Sequence, residues 1–407
     1  MSDALDASSS TIAVVGASLA GLRACEALRE EGFSGRIVLI GAERHLPYDR
    51  PPLSKEILQG KWEPEKIVLR RDGLGDLDLD FRASTKATSL DAAAKVVTLD
   101  DGEKVSFDGL VIATGARVRR LEMAEGFEGV HYLRSLDDAM KLRGALENAA
   151  LRGAPRVAII GAGFIGCEVA ASCRQRGLDV TVIEPLAAPM VRALGRHLGG
   201  LAAMLHRDNG VDMRCATTLA AIEGDGRVER IRLGDGRTIA VDVLVIGVGV
   251  VAETTWLESS GLALEDGVLC DERCSAAPGI VAAGDVARWK SIRRAGFQVR
   301  VEHWLHAGAQ GRAAALRLLR GADGVEPYDP VPFVWTDQFG VKIQMAGHPS
   351  PDDELRLVDG EFDEYRFVAL FARAGMLTGV VGMRRPAVVA RYQALLEQGA
   401  TIEQALA

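Results

Sequence analysis

Short apolar runs alternate with longer segments that mix apolar and polar positions over most of the chain. The runs at residues 12–15 and 157–160 are each followed by a glycine-containing turn and then by a segment suited to a helix. Continuous apolar runs of this kind are typical of parallel strands that are buried on both faces of a sheet. The pattern therefore predicts α/β organisation from the start of the chain to about residue 320.

Two further apolar runs end in small-residue motifs that indicate additional strand ends. "FDGLVIATGA" ends at residues 113–115, and "GIVAAGDVA" contains Gly284 and Asp285 at its end. Between these two runs lies the whole second strand, turn and helix, closed by "VDVLVIGVGV" at residues 241–250. This order predicts that a second domain is inserted into the first.

The two glycine turns have the spacing of a dinucleotide-binding motif. "GASLAG" begins at Gly16, and "GAGFIG" begins at Gly161. In such a motif the first glycine allows a tight turn, the last lets the helix pack closely on the strand, and the helix N-terminus offers backbone N–H groups to a pyrophosphate. The middle position, where the backbone approaches the phosphates, is Ser18 in the first turn and Gly163 in the second. Serine is small enough for this position, and its hydroxyl can donate to a phosphate.

An acidic residue follows each turn at the end of the next apolar run. Glu43 ends "GRIVLIGAE", Glu184 follows "LDVTVI", and we place both at the same point, where a carboxylate accepts from a ribose hydroxyl. A single glycine motif is weak evidence, because glycine also serves simply to pack a helix on a strand. The ordered set found twice favours two dinucleotide sites over two structural units without ligands. Glu184 favours NADH, because a carboxylate repels the 2′-phosphate of NADPH.

The complete pattern predicts an α/β fold with two Rossmann-like dinucleotide-binding domains and a small α+β domain at the C-terminus. From about residue 325 the chain changes to short strands, in "FVWTDQFGVKIQMAG" and "EYRFVALFARAGMLTGVVGM", followed by an amphipathic helix over residues 386–398. We expect the first dinucleotide domain at 1–116 and 246–324, the second at 117–245, and the C-terminal domain at 325–407.

Composition and charge agree with a cytoplasmic enzyme of several domains. The 407 residues are 48% hydrophobic and 26% charged, which is ordinary for a globular chain, and the net charge of -8 argues against a nucleic-acid partner. "MSDALDASSS" lacks the basic region of a signal peptide, and the longest apolar run is too short for a bilayer. We therefore expect a disordered N-terminal tail, no membrane partner, and a monomer or weak dimer.

The spacing of the six cysteines argues against a redox pair or a metal site. They are Cys25, Cys167, Cys173, Cys215, Cys270 and Cys274. No C-x-x-C pair and no set of metal ligands occurs among them. We interpret them as small hydrophobic residues in a reducing compartment.

The whole chain resembles the two-dinucleotide-binding flavoproteins of the glutathione reductase superfamily. Within that superfamily it is similar to the putidaredoxin reductase-like, NADH-dependent ferredoxin reductases that supply cytochrome P450s and Rieske-type oxygenases. The narrowest matches are "LPYDRPPLSK", "VEHWLHAGAQG" and "PFVWTDQFGVKIQMAG", whereas the glycine turns, "ATGARVRRL" and "GIVAAGDVA" are less specific. The resemblance implies that the first turn holds FAD permanently and that the second admits NADH, which reduces the flavin.

The resemblance also implies a set of residues that bind the two cofactors. They are Gly16, Ser18, Leu19, Ala20, Gly21, Glu43, Arg50, Lys55, Ala113, Thr114, Gly115, Gly161, Gly163, Phe164, Ile165, Gly166, Glu184, Gly249, Gly284, Asp285 and Trp304. A flavin accepts a hydride in one two-electron step and returns electrons singly, which suits an adaptor between NADH and a one-electron iron–sulfur protein.

The motif "RPPLSK" is expected to present Lys55 near the flavin ring. Its two prolines set a rigid entry to a helix that presents Ser54 and Lys55. The resemblance places a cation there, facing a carboxylate from the helix after the second glycine turn, and Glu168 is in the matching position. We infer a catalytic Lys55–Glu168 pair beside flavin N5 that orients the ring and stabilises charge on the reduced flavin. The alternative is an exposed lysine and an unrelated helix glutamate.

The expected acceptor is a [2Fe-2S] ferredoxin that takes electrons directly from the flavin. Trp304 and Trp335 belong to segments that line the flavin face in the family, and buried packing is their alternative role. The stretch "RWKSIRRAGFQVR" at 288–300 carries five basic residues and no acid, which favours a docking patch for an acidic ferredoxin over a solvated loop. The predicted docking residues are Arg288, Lys290, Arg293, Arg294 and Arg300.

Three other functions would use the same cofactors. A rubredoxin reductase differs only in its acceptor, and an NADH oxidase usually needs a peroxidatic cysteine, which is not apparent in this sequence. A redox sensor resembling apoptosis-inducing factor typically carries a long insertion in its C-terminal domain, and the compact C-terminal segment argues against it. The sequence does not name the ferredoxin, the oxygenase or the substrate of the oxygenase.

Overall fold

The computed structural model describes residue 5 and residues 8–151, 153, 155–350 and 352–407. The chain divides into two compact units. The first comprises Met1–Asp49, Ile67–Arg117 and Val251–Pro330, and the second comprises Arg50–Lys66, Val118–Val250 and Val331–Ala407. Each unit contains a parallel sheet with helices packed on it, so the predicted α/β fold class is confirmed.

The N-terminal tail that the sequence predicts lies mostly outside the described residues, at residues 1–4, 6 and 7. The backbone N–H of Leu5 donates to the carbonyl of Leu318, and Ser10 is buried with its carbonyl accepting from Arg36. These two residues of the predicted tail are therefore packed within the first unit.

A six-stranded sheet forms the centre of the first unit. Its order is Ser275–Ala277, Ile280–Ala282, Gly109–Ile112, Thr11–Val15, Arg36–Ile40 and Leu79–Arg82. All neighbours are parallel except the first pair. Side chains alternate between the faces, so Ile12 and Val14 contact the helices Leu19–Glu30 and Trp304–Arg320, whereas Ala13 and Val15 contact a second apolar cluster.

Two small sheets complete the first unit and were not predicted. One is antiparallel, with strands Ala87–Asp91, Val96–Leu99 and Lys104–Ser106. The other contains Val268–Cys270, Ala287–Lys290 and Gln298–Val299. Their strands have only three to five residues, or two in the last case, which is too short for a clear alternating pattern in the sequence.

The central sheet of the second unit repeats the parallel arrangement. Its order is Asp212–Arg214, Asp179–Ile183, Arg156–Ile160, Val243–Ile246 and Val130–His131. The helices of this part are Leu136–Ala150, Phe164–Gln175 and Val191–Asp208. A three-stranded antiparallel sheet, Leu219–Glu223, Arg230–Leu233 and Thr238–Ala240, lies next to them along the chain.

An antiparallel sheet and two helices form the C-terminal part of the second unit. The sheet order is Phe333–Gln338, Val341–Gly347, Met376–Met383, Arg366–Arg373 and Glu354–Glu361, and the helices are Pro386–Glu397 and Ile402–Leu406. The predicted strands and the helix from Pro386 are confirmed. The edge strand Glu354–Glu361 was missed because half of its residues are charged and none is buried.

The remaining elements are short. Two strands, Ala116–Val118 and Val250–Ala252, lie where the chain passes from one unit to the other, and the 3₁₀ turns are Pro51–Ser54, Pro64–Ile67, Gly75–Leu77, Glu122–Ala124, Thr255–Leu257 and Gly284–Val286. "RPPLSK" thus forms a 3₁₀ turn that ends before Lys55, not the entry to a longer helix. Among the helices of the described ranges, none is both long and apolar enough to span a bilayer.

Candidate functional site

The two glycine turns have nearly the same geometry. Gly16 has a backbone φ of +119° and Gly161 has a φ of +98°. Residues other than glycine rarely adopt this conformation. A Cβ atom would lie 2.1 Å from the Ala113 carbonyl oxygen at Gly16, and 2.3 Å from the Gly247 carbonyl oxygen at Gly161. Both turns therefore require glycine, because each strand end passes directly against the neighbouring strand end.

The last glycine of each turn allows the helix to approach the turn. A Cβ atom would lie 1.9 Å from the Gly16 carbonyl oxygen at Gly21, and 2.0 Å from the Gly161 carbonyl oxygen at Gly166. The helices that follow begin at Leu19 in the first unit and at Phe164 in the second, and Ser18 and Gly163 occupy their N-cap positions.

Open space above the second helix N-terminus fits a phosphate group. A Cβ atom at Gly163 would meet nothing within 4 Å, and Gly163 is exposed. Ile165, in the first turn of the helix, is 46% exposed although it is apolar. In the first unit Leu19 and Ala20 are buried at the corresponding helix start. The second helix therefore begins at an open surface, where the backbone N–H groups of a helix N-terminus suit an anionic group such as a phosphate.

Glu184 is built into the second turn. It directly follows the strand Asp179–Ile183 and is 7% exposed. Its Oε2 accepts from the backbone N–H of Ala162 at 2.7 Å, and its Oε1 accepts from the backbone N–H of Leu186 at 2.8 Å. Each carboxylate oxygen has a second lone pair, so the group can hold the turn and still accept from a ribose hydroxyl.

Glu43 does not occupy the same point as Glu184, which corrects the sequence prediction. The strand Arg36–Ile40 ends at Ile40, so the residue directly after it is Gly41. Glu43 lies two residues later, partly exposed, and accepts from the Tyr48 hydroxyl at 2.5 Å. The two acids therefore occupy different positions relative to the ends of their strands.

Three residues predicted for FAD lie at the carboxyl edge of the first sheet. Gly16, Ala113 and Gly284 follow the ends of three parallel strands, and a Cβ atom at Gly284 would lie 3.1 Å from Ala20 Cβ. The Thr114 hydroxyl donates to the Glu253 carbonyl at 2.8 Å. This edge is where open α/β sheets bind ligands.

Five predicted residues lie outside these turns. Gly115 and Gly249 have positive φ values of 69° and 97°. Asp285 is partly exposed within the turn Gly284–Val286, and Trp304 is partly exposed at the start of its helix. Arg50 Nη1 donates to the Arg134 carbonyl at 2.8 Å.

Lys55 and Glu168 form a buried ion pair in the second unit. Lys55 Nζ lies 3.0 Å from Glu168 Oε1, and the side chains are 11% and 5% exposed. The pair is present because Gly166 lets the helix Phe164–Gln175 lie close to its turn, and because the 3₁₀ turn Pro51–Ser54 packs on that helix. The two side chains are therefore in contact, and neither is an isolated surface charge.

Two hydroxyl groups complete the surroundings of Glu168, and their contacts with it were not predicted. The Ser54 hydroxyl donates to Glu168 Oε2 at 2.5 Å, and the Thr336 hydroxyl donates to Glu168 Oε1 at 2.7 Å. Ser54 lies in "RPPLSK" and Thr336 in "WTDQFG", but within these motifs the sequence analysis predicts roles only for Arg50, Lys55 and Trp335. The available signal was the position of Thr336 and Gln338 two residues apart, which places both on one face of the strand.

Comparison with known proteins extends these observations to the whole chain. The model of the pyridine nucleotide-disulphide oxidoreductase family matches residues 10–311, and the reductase C-terminal model matches residues 333–407. The chain belongs to the pyridine nucleotide-disulphide oxidoreductase family.

Relatives in this family match along nearly their full length. The ferredoxin reductase component of chlorobenzene dioxygenase from Cupriavidus sp. (strain PS12) is 36% identical over 97% of this chain and 94% of its own. The ferredoxin reductase for the CYP199A2 system of Rhodopseudomonas palustris has a TM-score of 0.90 and 33% identity, covering 97% of this chain and 96% of its own. Putidaredoxin reductase in its covalent complex with putidaredoxin gives a TM-score of 0.90 and 28% identity over 96% and 94%.

The cysteines of this family member are free thiols. Cys215 is partly exposed and the other five are buried. Burial raises the pKa of Cys25, Cys173 and Cys274 to about 12. Thiolates are scarce under such conditions, so these cysteines lack the reactivity that thiol–disulfide exchange requires.

The predicted docking stretch forms a β-hairpin in this family member. Contacts with acidic residues outside the stretch reduce the number of its basic side chains that are exposed and unneutralised. Arg288 pairs with Glu265 at 3.0 Å, and Arg300 pairs with Asp266 at 3.1 Å and Glu302 at 2.7 Å. The Arg300 side chain is only 12% exposed. Arg288 and Arg300 are thus largely neutralised by acids from outside the stretch, which corrects their predicted role.

The exposed part of the hairpin is its tip, residues 290–297. Strand Ala287–Lys290 pairs with Gln298–Val299, and Lys290, Arg293 and Arg294 are exposed between them. The tip also exposes two apolar side chains, Ile292 at 56% and Phe297 at 71%. Exposed apolar groups rimmed by charges of one sign are typical of protein interaction sites. We call residues 290–297 the hairpin tip.

Proposed function

We propose that this protein is an FAD-dependent NADH:ferredoxin oxidoreductase that passes electrons to a [2Fe-2S] ferredoxin serving a cytochrome P450 or a Rieske-type oxygenase. The observation that carries the proposal is the presence of two complete dinucleotide turns in a chain that matches oxygenase-system reductases along its whole length. When bound, FAD supplies the conversion of a two-electron hydride donor into single electrons.

The first unit provides the FAD site in this proposal, and the proposed FAD domain spans residues 1–116 and 246–324. Most of that domain lies in the first unit, whereas its residues 50–66 belong to the second unit. Gly16, Ser18 and Gly21 surround the pyrophosphate, because they form the turn at the carboxyl edge of the sheet. Glu43 accepts from the adenosine ribose, and its bond from Tyr48 holds the carboxylate in one orientation. Asp285 accepts from the ribityl hydroxyls of the flavin.

The second unit provides the NADH site, with a domain at residues 117–245. The exposed N-terminus at Gly163 receives the pyrophosphate, and Glu184 accepts from the ribose 2′-hydroxyl. The carboxylate is fixed by two backbone N–H groups, so it cannot turn away from a 2′-phosphate. NADPH is rejected by this repulsion.

Lys55 places a fixed positive charge at the reactive part of the flavin. Its ammonium is largely removed from solvent and is held by the carboxylate of Glu168. A charge held in this way needs no reorganisation when negative charge develops on a bound ring, so it favours reduction. The pair also orients the ring toward the nicotinamide.

The hairpin tip provides the docking surface for the ferredoxin. Lys290, Arg293 and Arg294 attract an acidic partner over a distance, and Ile292 and Phe297 supply apolar contact once it has arrived. We place the protein in the cytoplasm, where its free cysteines stay reduced.

The purified protein is expected to be yellow, with one FAD per chain. NADH should bleach the flavin absorbance under anaerobic conditions, and a [2Fe-2S] ferredoxin from an oxygenase system should restore it in rapid turnover. Absorbance spectra, stopped-flow mixing and steady-state reduction of the ferredoxin test these steps separately. A folded, colourless preparation that cannot be reconstituted with FAD contradicts the proposal, and slow turnover with every ferredoxin tested contradicts the assigned acceptor.

The substitution Glu184→Ala should weaken the use of NADH and relax the rejection of NADPH. Loss of one hydrogen bond to a charged group costs about 1.5–3 kcal/mol, so kcat/KM for NADH should fall roughly tenfold or more. The measurement is kcat/KM with both nucleotides. Asp242→Ala is the matched control. The carboxylate of Asp242 accepts from the backbone N–H of Arg156, at the start of the strand Arg156–Ile160 that ends at the turn held by Glu184. Equal losses with NADH and NADPH would mean that Glu184 only supports the turn.

A further inference from the structure

A chain of buried polar side chains leads away from the Lys55–Glu168 pair into the second unit. Its members are Glu168, Thr336, Gln338 and His206, which are at most 4% exposed. They come from the helix Phe164–Gln175, the strand Phe333–Gln338 and the helix Val191–Asp208. A polar group at such depth is costly unless it is hydrogen-bonded, so these contacts are held in place.

The distances define a continuous set of hydrogen bonds. The Thr336 hydroxyl lies 2.7 Å from Glu168 Oε1, and Gln338 Nε2 lies 3.1 Å from Thr336 Oγ1. His206 Nε2 lies 2.9 Å from Gln338 Oε1. Thr336 and Gln338 point to the same face of their strand because they are two residues apart. We call this set the buried relay.

The donor and acceptor inventory gives the buried relay a single direction. An ionised carboxylate only accepts, so the one hydroxyl proton of Thr336 is used toward Glu168. Thr336 must then accept from Gln338, which requires the amide nitrogen of Gln338 to face it. The amide oxygen of Gln338 consequently faces His206, and His206 must donate through Nε2. Every proton therefore points toward Glu168.

Two further contacts agree with this direction. Gln338 Nε2 lies 3.6 Å from Met190 Sδ, a weak acceptor that suits the second amide proton. Burial lowers the pKa of His206 to about 4, so the ring is neutral near pH 7 and carries one N–H. Its Nδ1 has no hydrogen-bond partner within the described ranges, in keeping with a proton on Nε2.

We propose that Thr336 is a positioning residue for electron transfer, acting through Glu168 and oriented by Gln338 and His206. The buried relay delivers a donor to the oxygen of Glu168 that also binds Lys55. Part of the negative charge of Glu168 is thereby balanced by Thr336, which leaves more of the positive field of Lys55 for the flavin. This inference rests on the proposed function, in which Lys55 lies beside the ring.

The test compares Thr336→Val, Thr336→Ser and wild-type holoprotein. Thr336→Val removes the donor with little change of volume, and we expect the NADH-dependent flavin reduction rate to fall roughly tenfold, as for loss of a hydrogen bond to a charged group. The flavin reduction potential should shift to lower values, because Glu168 then opposes reduction more strongly. Thr336→Ser should restore both quantities.

Thr378→Val is the matched control for loss of a hydroxyl that donates to a buried carboxylate. Thr378 donates to the carboxylate of Asp353 at 2.7 Å, and Arg373 pairs with the same carboxylate, so the local chemistry resembles that at Glu168. We expect Thr378→Val to leave the flavin potential and reduction rate unchanged. A fall in both quantities in this control as well would mean that general loosening of the sheet explains the effect, and would overturn the proposal.

Repeating Thr336→Val in a Glu168→Gln variant tests whether Thr336 acts through the charge of Glu168. If Thr336 acts through the charge of Glu168, Thr336→Val should have no further effect on rate or potential in that background. Equal effects in both backgrounds would overturn the proposal. Lys55→Met separates failure of this inference from failure of the proposed function. If flavin reduction is slow in Lys55→Met but normal in Thr336→Val, only the role of the buried relay is rejected. If flavin reduction is normal in both variants, the flavin role of Lys55 is rejected as well.

Discussion

Replacing Lys55 by methionine is expected to destabilise the protein and to slow flavin reduction by NADH. Removal of one partner from a buried ion pair leaves Glu168 without its cation, which typically costs about 3–5 kcal/mol of unfolding free energy. Loss of a fixed charge that stabilises developing charge typically costs about a hundredfold in rate. Denaturant unfolding measures the first effect, and anaerobic stopped-flow mixing with NADH measures the second.

Two controls separate the structural effect from the catalytic one. Lys66→Met changes an exposed lysine of the same segment, whose Nζ lies 4.2 Å from the centre of the Trp62 ring, and should leave the flavin reduction rate unchanged. The double variant Lys55→Met, Glu168→Gln removes the unbalanced charge, so it should recover much of the stability without recovering the rate. Recovery of both would show that Lys55 serves only to neutralise Glu168.

Neutralising Lys290, Arg293 and Arg294 together is expected to slow ferredoxin reduction by about tenfold or more at low salt. Electrostatic steering raises association rates by about 10–10³-fold, and these three side chains are the exposed basic residues of the hairpin tip. The wild-type rate should also fall as salt is added, because exposed charges are screened over about 8 Å at physiological ionic strength. Reduction of the ferredoxin at several salt concentrations measures both effects.

Hydride transfer should be spared in the hairpin-tip variant. Flavin bleaching by NADH and reduction of ferricyanide do not require protein docking, so both should stay near wild type. Arg230→Gln with Arg232→Gln provides a control in which two half-exposed arginines of the second unit are neutralised. Equal losses in all three assays would assign the hairpin tip to support of the fold or of the flavin site.

The main dinucleotide elements were readable from the sequence because their chemistry is local. The first glycine of each turn, Gly16 or Gly161, has a positive φ angle, and the last, Gly21 or Gly166, lets the helix contact the turn. These two requirements fix the spacing of the glycines in the sequence. Their roles as cofactor ligands remain predictions. The position of Glu43 was less readable, since an acid near the end of a strand does not reveal on which residue the strand ends.

The charge of the hairpin was misjudged because a linear stretch shows only its own residues. Glu265 and Asp266 are brought to Arg288 and Arg300 by the folding of the chain, and Glu302, which lies just beyond the stretch, also pairs with Arg300. The side chains of Lys290, Arg293 and Arg294 stay exposed at the tip, although Arg293 also donates to Asp329. A basic run in a sequence therefore predicts a basic surface only where tertiary contacts leave its charges in solvent.

The sequence by itself determined the α/β class and the two glycine turns, because strand burial and glycine geometry are recorded in short stretches, and its family resemblance implied the contact between Lys55 and Glu168. The tertiary structure alone decided what surrounds that pair. The pair is surrounded by Ser54, His206, Thr336 and Gln338, which are all buried in one region. Ser54 and Gln338 are nevertheless 284 residues apart along the chain. Hydrogen bonding among buried groups depends on their distance in space, for which the order of residues in the chain gives no measure.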